Sequence, residues 1–192
     1  MEFDTNSQIK LRDQLILAGI DELNKQGIQN FSVRRIAERC GVSCAAPYKH
    51  FKDKQSFFAA IISYIDQKWD EQQRSTANKY TSTREQLLAI CMEYIRFLTD
   101  NPQFRSIIML NNDDFNEKFS ALRGKLSRQT YILVSKYCQE VDMPDDVRRR
   151  KTYIVRSLIY GAALMFDNGE LDYTDENLNM VSYSLNREFV LP

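Results

Sequence analysis

Histidine is nearly missing from this chain of 192 residues: His50 is the only one. The four cysteines, Cys40, Cys44, Cys91 and Cys138, are scattered, and only the first two lie near each other. One imidazole and no second cysteine pair cannot close a tetrahedral metal site, so no metal is expected. A chain of this size in a reducing compartment is not expected to rely on disulfides either. There is no glycine-rich phosphate loop and no nucleophile elbow, so neither an enzyme nor a cofactor is expected. No run of about 18 apolar residues occurs, which excludes a spanning helix. The start, Met1-Glu2-Phe3-Asp4, is acidic and polar, unlike a signal peptide, and a cytoplasmic location follows as the expectation. Glycine (six) and proline (four) are sparse and strand-like alternation is scarce, which argues for an all-α protein. Acids and bases balance at 26 each, so any local excess of charge stands out.

Such an excess lies between Phe31 and Phe57. Six cations (Arg34, Arg35, Arg39, Lys49, Lys52, Lys54) face two acids, Glu38 and Asp53. Charge alone would suit a solvated helical hairpin, but the pattern around it is more specific. Ser32 is a good N-cap. Val33, Ile36, Ala37 and Cys40 make one apolar helical face. Gly41 falls where a helix ends in the left-handed conformation. Val42 is apolar and suits the gap between two helices. Ser43 can cap a second short helix, Cys44 to about His50, with Pro47 in its first turn, where a missing N–H matters least. Two short helices joined by a glycine-containing turn form a helix-turn-helix. The small Cys44, Ala45 and Ala46 let the second helix approach a base edge or phosphate closely. His50 belongs to that helix, which leaves no histidine for a Ser-His-Asp or Cys-His site elsewhere.

From Ile16 to about Ile61 the chain resembles the N-terminal domain of the TetR family of bacterial transcriptional regulators. The matching features run in one order: Leu23 and Gly27, Ser32 with Ile36-Ala37, Gly41-Val42-Ser43, Tyr48-Lys49-His50-Phe51, then Lys54 with Phe57. Cys44 and Pro47 depart from the pattern. Cys44 replaces a frequent basic or polar residue, which leaves base preference open. Pro47 replaces a common leucine or isoleucine, which bears on packing. The resemblance implies that Tyr48 meets phosphate, that Lys49 and His50 reach bases or backbone, and that Lys54 meets phosphate. It also sets Arg34 where a guanidinium could read a guanine edge. Ser32, Ser43, Cys44, Ala45 and Ala46 complete the expected DNA-facing set.

Along the chain, a first helix is expected from about Ile9 to Gln26, burying Leu15, Ile16, Gly19, Ile20 and Leu23, after a frayed residue 1–8 segment. A long helix capped by Asp53 is expected to reach about Lys79 with Phe58, Ile61, Ile62, Ile65 and Trp69 inward. It would link a DNA-binding domain, residues 1–54, to a ligand-binding and dimerisation domain, residues 55–192. There, Thr83 opens a helix with Gln86 at the capping-box position. Asn101-Pro102 caps a short helix, Asn111 to Asp114 is a loop, and a helix follows from about Phe115 to Glu140. The last two helices span about Asp145–Asp167 and Thr174–Phe189. From Tyr153 to Phe166 the first of these is apolar nearly all round, which requires burial on two fronts.

The resemblance implies that these two helices pair with their copies in a homodimer. Tyr160, Ala163, Leu164, Leu178, Val181 and Leu185 are the candidate interface. Nine of the ten tyrosines lie beyond residue 56. Each ring by itself reads as core, but Cys91, Tyr94, Phe104, Phe119, Tyr137 and Tyr153 could together line a pocket for an amphipathic or aromatic effector. Arg156 could pair a ligand anion or an internal acid. Cys44, at a helix N-terminus, could carry a lowered thiol pKa and sense redox state, although a lone exposed cysteine is more often incidental.

The resulting expectation is a dimeric repressor that binds a palindromic double-stranded operator through two reading helices and is released by a small effector. Two alternatives stay open. One is a helical ligand-binding protein or enzyme with no DNA role, which lacks steep salt dependence. The other is a regulator without ligand control.

Overall fold

The computed structural model describes residues 10–108 and 128–190, and all regular structure among them is helical. The expectations for residues 1–8, for Asn111 to Asp114, for Phe119 and for the start of the Phe115 helix lie outside the described residues. The chain folds as two compact units, and the division within the first of its long segments falls after Ile65.

In the first unit, α1 (Leu11–Gln26) and α2 (Val33–Arg39) are followed by a 3-10 turn, Pro47–Lys49, and by the start of α3 (Lys54–Ala77). The apolar stripe of α1 (Leu15, Ile16, Ile20, Leu23) is buried together with Phe31, Ile36, Phe51, Phe57 and Ile61. Phe51 stacks on Phe57 at 4.1 Å between centroids, and Phe31 meets Phe57 edge-on at 5.5 Å. Gly19 is the close-approach point: a Cβ there would come within 3.0 Å of Ile61 Cδ1 and 3.1 Å of Phe57 Cε2. α2 ends in a Schellman motif, with Val42 N–H donating to the Ala37 carbonyl and Gly41 N–H to that of Glu38. Gly41 takes the left-handed φ of +66° that this motif requires.

The second short helix differs from expectation. Cys44 to Ala46 form a turn, and only Pro47–Lys49 close as a 3-10 element. Pro47 has no N–H to donate to the Ser43 carbonyl, and that oxygen accepts from Ala46 N–H instead. Its ring is fully buried, so the departure is used as packing. Asp53 caps α3 as expected, and Ser56 completes the cap. Asp53 Oδ1 accepts Ser56 N–H at 2.7 Å, and Ser56 Oγ accepts Asp53 N–H at 2.9 Å.

The second unit contains the remainder of α3 from Asp66, α4 (Thr83–Asp100), the start of α5 (Pro102–Ile108), α6 (Arg128–Glu140), α7 (Asp145–Asp167) and α8 (Asp175–Glu188). α4 packs against α6, α7 and α8. Trp69 lies 4.6 Å from the Tyr94 ring and 5.3 Å from that of Phe97. The cap of α4 falls one residue earlier than expected. Ser82 accepts Glu85 N–H, while Thr83 is buried and donates to Glu140 at 2.8 Å. Gln86 instead donates to the Tyr80 carbonyl. Asn101 donates its side chain to the Phe97 carbonyl, so it closes α4 as well as preceding α5. Thr174 caps α8 through Asn177 N–H. No described helix is long and apolar enough to cross a membrane.

Candidate nucleic-acid interface

In the first unit the surface around residues 43–54 is exposed except where Phe51 and Pro47 anchor it. Ser43, Cys44 and Ala45 are exposed and Ala46 is half-buried. Tyr48 is 57% exposed, so its ring is presented outward rather than spent in the core. Lys49, His50 and Lys52 are exposed, and neither Lys49 nor Lys52 has an ion pair among the described residues. Lys54 reaches back over the Phe31 and Phe58 rings, 5.6 Å from each centroid, and donates to the Ile28 carbonyl at 3.3 Å. Its stem therefore ties the loop before α2 to the start of α3. Ser32 caps α2 by accepting Arg35 N–H, so its hydroxyl serves the helix.

The α2 arginines are engaged. Arg34 pairs with Glu38 at 2.9 Å on the open surface, one helical turn away. Arg39 meets Asp21 at 2.6 Å. Arg35 meets Glu22 at 2.5 Å, and Glu22 is 3% exposed. Glu22 was not anticipated as a functional residue. Its signal in the sequence is an acid placed one turn after Gly19 on the helix face that α1 buries. Cys40, expected inside, is half-buried with its sulfur 3.8 Å from the Gln14 carbonyl oxygen, and desolvation raises its thiol pKa.

In the second unit the expected pocket residues are distributed. Cys91 is in the core, where burial pushes its thiol up to about 12. Tyr94 lies half-buried between Trp69 and Tyr160. Phe104 packs against Phe97 at 5.8 Å. Tyr137 is buried beside α8 and donates to the Phe189 carbonyl at 2.5 Å, and burial raises its phenol pKa. Tyr153 and Arg156 come together in a groove of about 650 Å³ along α7, lined by Arg149, Thr152, Tyr153, Arg156, Ser157 and Tyr160. Arg156 is exposed there, 5.9 Å from the Tyr160 ring centroid. Among the described residues of this unit, Arg105 is a buried arginine and pairs with Asp167 at 2.5 Å.

The candidate interface residues also divide. Ala163, Leu178, Val181 and Leu185 are buried within the single chain, where α7 and α8 pack together. Ala163 and Leu185 are fully buried there, and Leu178 and Val181 are each 8% exposed. Tyr160 is half-buried and Leu164 is 47% exposed. The large apolar groups left open on these helices are Tyr153, Leu164, Met165, Met180 and Tyr183.

Residues 15–61 match the model of the bacterial regulatory proteins, tetR family. Over these residues the chain is similar to that family. The match runs from Leu15 on α1 to Ile61 on α3 and contains every residue of the expected DNA-facing set. Among curated proteins, this chain is similar to the nucleoid occlusion factor SlmA of Haemophilus ducreyi, 31% identical over 102 residues. That alignment covers 52% of this chain and 50% of the relative, so the chain spans about half the length of such relatives. SlmA of Alteromonas mediterranea is 25% identical over 168 residues, covering 88% of this chain and 82% of the relative. Two solved structures share the fold. A TetR family transcription regulator from Marinobacter aquaeolei has a TM-score of 0.76 at 17% identity, covering 92% of this chain and 94% of the other. The regulator FadR from Bacillus subtilis, solved with stearoyl-CoA, has 0.72 at 15%, covering 93% and 97%.

Proposed function

We propose that this protein is a homodimeric, sequence-specific DNA-binding transcriptional regulator, a repressor released from a palindromic operator by a small amphipathic ligand. The observation that carries the reading is the exposed surface of Tyr48, Lys49, His50 and Lys52, inside the segment that matches the tetR family. Lysines without acidic partners are what phosphate contact needs, because each neutralised phosphate releases counterions. Tyr48 supplies a phenol hydroxyl to the backbone, and Arg34 can exchange an exposed, weak pair with Glu38 for a base edge.

Control would travel through α3. At 24 residues it is one unbroken helix about 36 Å long, with residues in both units. An effector shifts the dimer only by its differential affinity for the two head spacings. Of the residues expected to touch it, Tyr153 and Arg156 share a groove and are the best placed. An elongated amphipathic effector is supported by the stearoyl-CoA in the FadR structure. For dimerisation, the open faces of α7 and α8 at Leu164, Met165, Met180 and Tyr183 replace the buried stripe as the proposed contact.

A second reading is favoured by the match to SlmA over 88% of the chain: a DNA-binding nucleoid occlusion factor without a small-molecule effector. Gel-shift titration of a duplex enriched from a random library tests the first. Tyr48→Ala or Lys54→Ala should abolish binding and leave the sedimentation coefficient of the dimer unchanged. Unaltered affinity in both variants rejects the site assignment.

A further inference from the structure

The N–H of a helix N-cap residue lacks an intrahelical partner, and a capping box serves it with a glutamate or glutamine three residues on. Ser32 is the N-cap of α2, and three residues on stands Arg35. The carboxylate arrives from α1 instead. One oxygen of buried Glu22 accepts Ser32 N–H at 3.3 Å and Arg35 Nε–H at 2.8 Å. Arg35 Nη2 is 2.5 Å from the same oxygen and also donates to the Asn30 carbonyl. The second Glu22 oxygen lies 3.9 Å from Arg39 Nη1.

We propose that Glu22 is a positioning residue of the DNA-reading head: it completes the cap of α2 from a neighbouring helix and withholds Arg35 from DNA. The proposal rests on the DNA-binding reading above. A carboxylate this buried is tolerated only when paired and hydrogen-bonded, and Glu22 is both. The crossing of α1 and α2 is thus held by charge-assisted bonds as well as by apolar packing. The orientation of α2 passes through its Schellman turn to Ser43 and the reading residues. Arg35 is 47% exposed at its side chain and would pass for a phosphate contact, yet its Nε and Nη2 are turned inward.

Fluorescence anisotropy on a duplex enriched from a random library by the wild-type protein, between about 50 and 200 mM salt, separates the possibilities. Arg35→Ala should leave the salt slope of binding as in the wild type. Glu22→Leu should weaken binding at least about tenfold, since it strips the cap and leaves the guanidinium without its acid. Glu22→Leu with Arg35→Glu moves the carboxylate to the usual capping-box position and should return affinity to within about threefold. The proposal is overturned if Arg35→Ala lowers the slope by about 0.9, the mark of a lost phosphate contact. It is also overturned if the double variant melts like the wild type and does not recover affinity. If the wild type enriches no duplex, the DNA-binding reading fails by itself. Hydrogen exchange at the Ser32 amide then still decides the cap: fast in Glu22→Leu and slow again in the double variant supports it, and unchanged exchange refutes it.

Discussion

α2 and the segment that follows it carry three cations each and use them in opposite ways. Arg34, Arg35 and Arg39 all meet acids, at 2.9, 2.5 and 2.6 Å. Lys49 and Lys52 have no ion pair among the described residues, and Lys54 donates to a carbonyl. The two segments look equally basic in sequence, but α2 spends most of its charge holding the head together. The charge left open to solvent comes chiefly from the turn. Counting cations therefore overstates the free charge of the head, and the acids of α1 and α2 decide by how much.

The contrast can be broken most directly by removing the free charges. Lys49→Ala with Lys52→Ala should lower duplex affinity by about a hundredfold near 100 mM salt and reduce the salt slope by nearly two, read by anisotropy titration. A slope unchanged by that pair would mean the turn is not the charged face. A smaller effect is expected where backbone geometry aims the turn. Gly41 sits at φ +66° with open space around it, so Gly41→Ala should cost about 1 to 2 kcal/mol in urea unfolding purely through the left-handed conformation.

Asp53→Ala should lower the melting temperature by loss of the α3 cap. Its carboxyl is held below the ordinary value of 3.8, first by the Ser56 N–H and then by the Ser56 hydroxyl. A lowered folded-state pKa stabilises above the unfolded value, and that contribution is lost as pH falls through the lower folded one. The melting-temperature gap between wild type and Asp53→Ala should therefore be full near neutrality and shrink below about pH 3.8. Arg39→Ala should have the smallest effect, within about 0.5 kcal/mol of wild-type stability, because its pair with Asp21 is solvent-exposed and buried Glu22, 3.9 Å away, keeps its closer partner Arg35.

The helices were legible because apolar spacing and caps agree along most of the chain. Asp53, Thr174 and Gly41 mark ends that the structure also uses. The reading segment was less legible. Spacing suggested a helix from Cys44, but the missing N–H of Pro47 leaves a turn and one 3-10 element. At α4, two adjacent hydroxyl residues competed for one cap, and Ser82 took it because Thr83 is drawn to Glu140. In the second unit, periodicity marked one stripe of α8 but not what it packs against, and α7, read as apolar nearly all round, leaves Tyr153, Leu164 and Met165 open in the single chain. Leu178, Val181 and Leu185 face their own chain, and the exposed Met180 and Tyr183 on the other side carry no periodic signature strong enough to announce an interface. Glu22 escaped notice for a related reason. Sequence patterning treats a carboxylate as solvated, and only the arrangement of Ser32 and Arg35 around it shows why it is inside.

The central claim, that the head reads DNA through residues around Tyr48, is tested most directly by one comparison. The wild-type protein is titrated by anisotropy onto its enriched duplex and onto a scrambled duplex of equal length, across about 50 to 200 mM salt. The account predicts affinity that falls steeply with salt on both and is at least about a thousandfold tighter on the enriched duplex. Equal affinity for the two duplexes, or binding that does not respond to salt, would contradict it.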